Sequence, residues 1–410
     1  MIHLNHNVYF TLNEYNALNN NIKSLYPFYC PKEYPYFCGK DSNSFGLCKK
    51  RLEDCENVNI DGVIPILTVD NKNKGSKYGY YTDNLHRRCN NIILNKEKKF
   101  DLSNNLSNIL MFSIMTYNIW GLPPKNDFIL KLMKIRINLI ADIIIKNNPD
   151  IICFQEVSLI SLQILKKRLS LIYKYQYETD YFFDEILERN REVETITFSK
   201  YPVLNYQVYG LDGNLKYNNS LLRTEFSNFV LYNVYLQAGS KKSPGQEYYW
   251  FHYTRCRIDQ LKRIKELIDK DTKPVIICGD FNFHLDGGDE WLEYNEIKDY
   301  FKDSWTDLNK KDGFTENTDI NTMRWNLKFQ EKKVRYDGIL YKYKYKSNKI
   351  YPFFSKIVGK KSIPLDNKMT KLFIKNFVSD DHHKIKYNNK KTINIFPSDH
   401  FGVITKFIIK

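Results

Sequence analysis

No stretch of this chain approaches the roughly 18 consecutive apolar residues that a membrane-spanning helix needs, and Met1–Asn20 lacks the basic-then-apolar order of a secretory signal. These absences argue against a helical membrane protein and predict a soluble chain, with an intracellular location favoured. Cysteine is sparse and poorly spaced for metal: Cys30, Cys38, Cys48 and Cys55 are separated by seven, nine and six residues, unlike paired CxxC knuckles. Zinc, disulfides and free structural thiols all stay open for this group, disulfides only in an oxidising compartment. No internal repeat is visible, and nothing sets the oligomeric state. Acidic residues are the minority, 47 against 62 Lys and Arg.

What is present is a globular composition, 42% hydrophobic over 410 residues, enough for one large core or for a large domain with a smaller companion. The net charge of +15 suits a polyanion such as nucleic acid, or an anionic membrane surface. Ordinary solvated lysine is a third reading, because Lys and Asn dominate throughout, as in NNNIK, YKYKYKSNK and YNNKK. The first hundred residues are aromatic and turn-rich and carry Cys30, Cys38, Cys48, Cys55 and Cys89. Residues 1–101 therefore read as a small Cys-bearing accessory module and 102–410 as the main domain, with the polar stretch Asn95–Ser107 between them.

Beyond that stretch, apolar runs alternate with helical patterns: FSIMTYNIW, DIICFQEV, ETITFSKYPVL, SNFVLYNVYL, KPVIICGDFN, RYDGILY and DHFGVITKFII. Strands interleaved with helices predict a layered α/β domain. Met133, Ile137, Ile140 and Ile144 recur at helical steps and stop before Pro149, and Ile258, Leu261, Ile264, Leu267 and Ile268 mark a second helix. Cys153 and Cys278 sit inside apolar runs and read as core.

Polar groups cluster at the ends of these runs, where layered folds expose functional side chains. Asn118 closes TYNIW ahead of Gly121 and a double proline that turn the chain. Glu156 follows an apolar run and needs a partner there, because an isolated charge beside a core is costly; a strand-end salt bridge or a hard cation such as Mg²⁺ would each serve. Strand alternation predicts that Asp280 and Asn282 of GDFN share one side, the carboxylate able to take a water proton and the amide to donate to a phosphoryl group. Asp399 and His400 follow in PSDHFG, and Asp337 in RYDGILY is a carboxylate able to hold the His400 tautomer and keep it cationic. The run Ser379–Lys384 (SDDHHK) reads as a solvated loop, and His252 and His284 stand outside the site.

In the order YNIWG, QEV, GDFN, YDGILY and SDHFGV, these residues resemble the endonuclease/exonuclease/phosphatase superfamily, a group that includes DNase I-like nucleases and neutral sphingomyelinases, over about Met111–Lys410. The resemblance implies a four-layered α/β sandwich of the DNase I-like kind and a metal, Mg²⁺ or Mn²⁺, on Glu156 aided by Asn118 and Asp399. It further implies that Asp280 activates water, that Asn282 and His400 stabilise the phosphoryl group, and that Asp337 orients His400. Where many members of the family carry His, this chain has Tyr235, a phenol in place of an imidazole. Phosphoester hydrolysis is the implied reaction. For substrate, nucleic acid is expected from the basic balance, from Trp325 as a stacking ring and from Lys342, Lys344 and Lys346 alternating with tyrosines. A phospholipid of the sphingomyelin kind is the alternative, from the wording NIWGLP. A family member without activity, serving only to bind nucleic acid or a protein, is the third reading.

Overall fold

The computed structural model describes residues 2–4, 8–10, 36–40, 46–49, 66–67 and 92–99 and, from 111 on, all residues except 123, 125, 179–182, 185–188, 191–193, 212–219, 240–246, 322, 324–331, 343–348 and 378–393. The cysteines of the first hundred residues, Trp325, Lys344, Lys346 and the SDDHHK run thus fall outside what is described, as backbone or as side chain. The strands of the two large sheets are β1 (Ile92–Lys99), β2 (Met111–Gly121), β3 (Ile151–Val157), β4 (Tyr175–Glu178), β5 (Glu194–Ser199), β6 (Asn205–Leu211), β7 (Ser220–Glu225), β8 (Val230–Tyr235), β9 (Val275–Asp280), β10 (Lys302–Asp303), β11 (Asp337–Lys342), β12 (Ile350–Val358) and β13 (Gly402–Ile409). The longer helices are α1 (Asp127–Asn147), α2 (Leu159–Leu169), α3 (Glu247–Ile268) and α4 (Asn367–Phe377).

Two sheets result, one in the order β12-β13-β2-β3-β5-β4 and the other β10-β11-β9-β8-β7-β6-β1. The central strands read as continuous apolar runs because their two faces feed different layers. In β2, Phe112 and Ile114 enter the layer between the sheets, while Met115, Tyr117 and Ile119 meet α1 and α2. In β9, Ile276 and Cys278 share that inter-sheet layer and Val275 and Ile277 pack towards α3. Helices, sheet, sheet and helix make the four layers expected. The two helical stripes are spent on this packing, with Met133, Ile137, Ile140, Ile144, Leu261, Ile264 and Ile268 all buried. Cys153 and Cys278 are free, buried thiols.

Each sheet contains one parallel pair made by a helical crossover: β2 and β3 around α1, and β8 and β9 around α3. The carboxyl ends of these four strands carry Asn118, Glu156, Tyr235 and Asp280. Asn126 caps the start of α1 by accepting from the Ile129 N–H, and Asn148, left-handed at φ 47°, ends it ahead of Pro149.

The polar letters around residue 95 form an edge strand. β1 pairs with β6, and Asn205 and Gln207 both donate to Glu97. The second sheet therefore begins at residue 92, upstream of the boundary expected after residue 101. Charged side chains on an edge strand discourage pairing with other chains, and that is why this one lacks an apolar signature. Lys342 closes β11 with its ammonium 3.2 Å from the Tyr300 ring centre and 3.8 Å from Asp269, so it does not join a free row of lysines. No helix among the described residues is long and apolar enough to cross a membrane.

Gly279 of β9 pairs with Val234 of β8: its φ is +148°, and a Cβ there would stand 1.9 Å from the Val234 carbonyl oxygen. Gly279→Ala should lower unfolding free energy by more than about 3 kcal/mol in a urea titration, since both conformation and backbone contact oppose the methyl. A loss below about 1 kcal/mol would mean that β8 and β9 separate more easily than their pairing suggests.

Candidate active site

Asn118 is the meeting point. Its Oδ1 accepts the Trp120 N–H at 3.0 Å, which turns its amide nitrogen towards two carboxylates, Glu156 Oε1 at 3.1 Å and Asp280 Oδ2 at 2.9 Å. Tyr235 donates its hydroxyl to the same Glu156 oxygen at 2.9 Å. The first sheet thus supplies Asn118 and Glu156, and the second Asp280 and Tyr235. With its amide nitrogen facing the acids, Asn118 orients both carboxylates, and its oxygen keeps a second lone pair beside the Trp120 N–H.

Asp280 and Asn282 also meet for a reason other than strand alternation. β9 ends at Asp280, and Asn282 lies beyond it in the left-handed region at φ 55°. A short turn holds the two, the Asn282 N–H donating to Asp280 Oδ1 at 2.8 Å. One amide hydrogen of Asn282 is given to the Leu236 carbonyl at 3.0 Å, which leaves its second for a ligand.

His400 and Asp337 sit at the amino ends of antiparallel strands and so reach the same edge. His400 Nδ1 lies 2.7 Å from Asp337 Oδ2, and its Nε2 is 4.0 Å from Asp280 Oδ2. Asp399 accepts from the Ser398 hydroxyl, which also donates to the Asn118 carbonyl at 2.8 Å, so SDH is tied to NIW. All eight residues singled out in the sequence therefore stand at one end of the sandwich. His284 does not: its Nδ1 accepts the Asp286 N–H and its ring lies against Trp291 and Phe314. Nothing of the His252 side chain is described.

Three groups that sequence reasoning missed hold this arrangement. Arg136, on the buried face of α1, donates to the carbonyls of Ile119, Trp120 and Pro397, clasping both motif loops, and its guanidinium lies 4.9 Å from the Trp120 ring centre. Asn321 donates to the carbonyls of Ser398 and Asp399. Ser398 makes the link just described. The signal for Arg136 was available, because it interrupts the apolar stripe between Met133 and Ile140.

Burial and like charge set the protonation states. Burial, with Asp337 adding and His400 opposing, pushes the Asp280 carboxyl up to about 7. Glu156 is also raised, by burial and by Asp399, against the pull of His400. Burial works to neutralise His400, but Asp337, Asp280 and Asp399 outweigh it and hold the imidazole well above its usual range, hence cationic. Burial lowers Arg136 to about 10, where it is still charged near neutrality.

Asp280, Asp337 and His400 place one ligand atom each within 4.8 Å of one another. Within this trio the imidazole Nδ1 is turned to Asp337 at 2.7 Å. Four carboxyl groups, Glu156, Asp280, Asp337 and Asp399, share this end of the sandwich with two cations, His400 and Arg136. Asp337 Oδ1 is buried without a hydrogen-bond partner. Hard oxygen donors of this kind fit a divalent cation on the Glu156 and Asp399 side.

Two βαβ units with carboxylates and amides at their carboxyl ends, met there by an imidazolium from the start of an antiparallel strand, make the site of a hydrolase of phosphoric esters. The chain belongs to the Endonuclease/Exonuclease/phosphatase family, whose model matches residues 115–347. No curated protein matches the chain in sequence. Among solved structures, D. rerio TDP2 complexed with a single-strand DNA product is 18% identical at a TM-score of 0.51, covering 72% of this chain and 98% of that one. TDP2 from C. elegans is 20% identical at 0.49, covering 75% and 78%. The mannosyl-6-phosphatase of Bacteroides thetaiotaomicron is 16% identical at 0.49, covering 72% and 99%. At these identities the likeness is one of fold.

The raised Asp280 carboxyl has a consequence for stability. Between about pH 4 and pH 7 the folded state keeps a proton that the unfolded chain has released, so stability falls as pH rises through that window. In EDTA, Asp280→Asn should have a higher unfolding free energy than the wild type above about pH 7 in urea titrations, by on the order of 2 to 4 kcal/mol, and the gain should fade towards pH 4. A variant less stable at every pH would show that the ionised carboxylate is fully compensated.

Proposed function

We propose that this protein is a divalent-metal-dependent phosphodiesterase that works by in-line attack of water. The observation that carries the reading is the Asn118 amide joined to both Glu156 and Asp280, beside a His400 kept cationic by Asp337. Glu156 and Asp399 would hold Mg²⁺ or Mn²⁺, and a bound ion would act as a Lewis acid on the phosphoryl oxygens. Asp280, aimed by Asn118 and by the Asn282 N–H, takes the proton of the attacking water while the ester P–O bond opposite breaks. His400 and the second amide hydrogen of Asn282 face the charge that grows on phosphorus-bound oxygens. Tyr235 keeps Glu156 in place through its hydroxyl, a task that an imidazole in its position would share.

A nucleic-acid strand is the first substrate reading, supported by the net charge of +15 and by the fold shared with a protein caught with a DNA product. A lipid phosphodiester is the second, favoured by NIWGLP and by the apolar, lysine-rimmed patch described below. Side-by-side turnover of labelled DNA, RNA and sphingomyelin decides between them.

Activity should vanish in EDTA and return with Mg²⁺ or Mn²⁺, and Glu156→Gln should raise the half-saturating metal concentration; full turnover in chelator would end the metal mechanism. Asp280→Asn and His400→Ala should each reduce turnover of bis-p-nitrophenyl phosphate by on the order of a hundredfold or more. Asp337→Asn should be milder, and nearly silent in the His400→Ala background, because its task runs through that ring. Independent, additive losses would separate the two residues.

A further inference from the structure

β12 closes one end of the first sheet and is unusual in what it turns to water. Its pairing with β13 slips between Pro352 and Phe354, so Phe353 is an extra, bulged residue. As a result, neighbouring Phe353 and Phe354 are both open, 46% and 39% exposed, with Tyr351 at 38%. The register continues the row, Tyr351 opposite Ile408 and Ile408 opposite Met111, itself 59% exposed. Lysines rim this patch. The ammonium groups of Lys356 and Lys406 lie 5.7 and 5.5 Å from the Phe354 ring centre, and that of Lys410 lies 5.8 Å from Tyr351.

Carboxylates are missing from the same stretch of chain. Residues 338–365 contain seven lysines and no Asp or Glu, and 400–410 contain none either. Asp150, bonded to Ser113 opposite Lys406, is already paired with Lys200. An apolar centre within a cationic rim that makes no ion pair among the described residues fits a partner that offers apolar depth and anionic oxygens together.

We propose that the outward side of β12, with Met111 and the neighbouring residues of β13, is a docking surface for an anionic membrane. The rings, Met111 and Ile408 enter the boundary between headgroups and acyl chains, and Lys356, Lys406 and Lys410 meet lipid phosphates. A nucleic-acid strand suits the patch less well, since Met111 and Ile408 have no π-face for a base and lysines already lie by the rings. Strand addition by a second copy is opposed by Pro352, which has no N–H to give, and by the bulge. The inference goes beyond the proposed phosphodiesterase activity and holds whichever ester the site cleaves.

Sedimentation of the full chain with vesicles tests it. The protein should pellet with phosphatidylcholine vesicles containing phosphatidylserine, weakly with phosphatidylcholine alone, and less as salt rises. Lys356→Gln, Lys406→Gln and Lys410→Gln together should lower the partition coefficient on the order of a hundredfold, about fivefold for each lysine. Phe353→Ser with Phe354→Ser should also release the protein, while both variants still hydrolyse a soluble phosphodiester at the wild-type rate. Equal binding to neutral and charged vesicles, or binding indifferent to both variants, overturns the proposal. So does loss of oligonucleotide binding without loss of vesicle binding, or a wild-type dimer in solution that the double serine variant abolishes. Loss of soluble turnover in the wild type would instead count against the phosphodiesterase reading alone.

Discussion

The Asn118 amide nitrogen donates to a carboxylate on its own sheet and to another across the sandwich, and the site exists only where those two bonds close together. Hydrogen bonds to charged groups are directional and worth about 1.5 to 3 kcal/mol each. They tolerate little slide of one sheet over the other. The apolar layer between the sheets does not set that register by itself, because hydrophobic contact is non-directional. Beneath the site, Gln155 donates to Asn233 at 2.7 Å and Asn233 donates to the Ile196 carbonyl at 3.0 Å, a buried polar link that pins the sheets just where Asn118 needs them. Fold and site are thus one geometric problem.

Gathering four acids at one end of a dry sandwich costs free energy, and the structure shows where that cost is met. Asp337 and His400 neutralise each other, Arg136 acts on Asp399 and Glu156, and burial raises the Asp280 and Glu156 carboxyls towards their neutral forms. Trp120, Glu156 and Asn282 hold positive φ without being glycine, at roughly 1 to 3 kcal/mol each. All three lie at the carboxyl ends of the parallel pairs, and Arg136 and Asn118 secure the first of them through the Trp120 backbone.

Family membership carries the reaction but not the substrate, since one site serves different esters through the surfaces around it. The basic charge is spread along the chain, yet among the described residues the structure distinguishes lysines held in ion pairs from lysines that rim an apolar patch. Lys342 is held by Tyr300 and Asp269, whereas the lysines about β12 have no carboxylate in their own strands. Charge counted from composition cannot make that distinction.

Periodicity made the central strands and both long helices legible, because residues packed on two faces leave a long apolar run and residues packed on one face of a helix leave a stripe. β1 and β12 escaped for the opposite reason: both are edge strands, β1 with charged letters in its sequence and β12 with Tyr351, Phe353 and Phe354 exposed. Arg136 was hidden as one basic residue among many, although its place within an apolar stripe marked it. The sequence by itself determined the inventory of acids, amides and imidazole and their order at strand ends, since that is local information. Only the tertiary structure decided which of them touch. Asn118 and Asp280 are 162 residues apart and Asp337 and His400 are 63 apart, and a contact of about 3 Å depends on how two sheets pack, which no local pattern encodes.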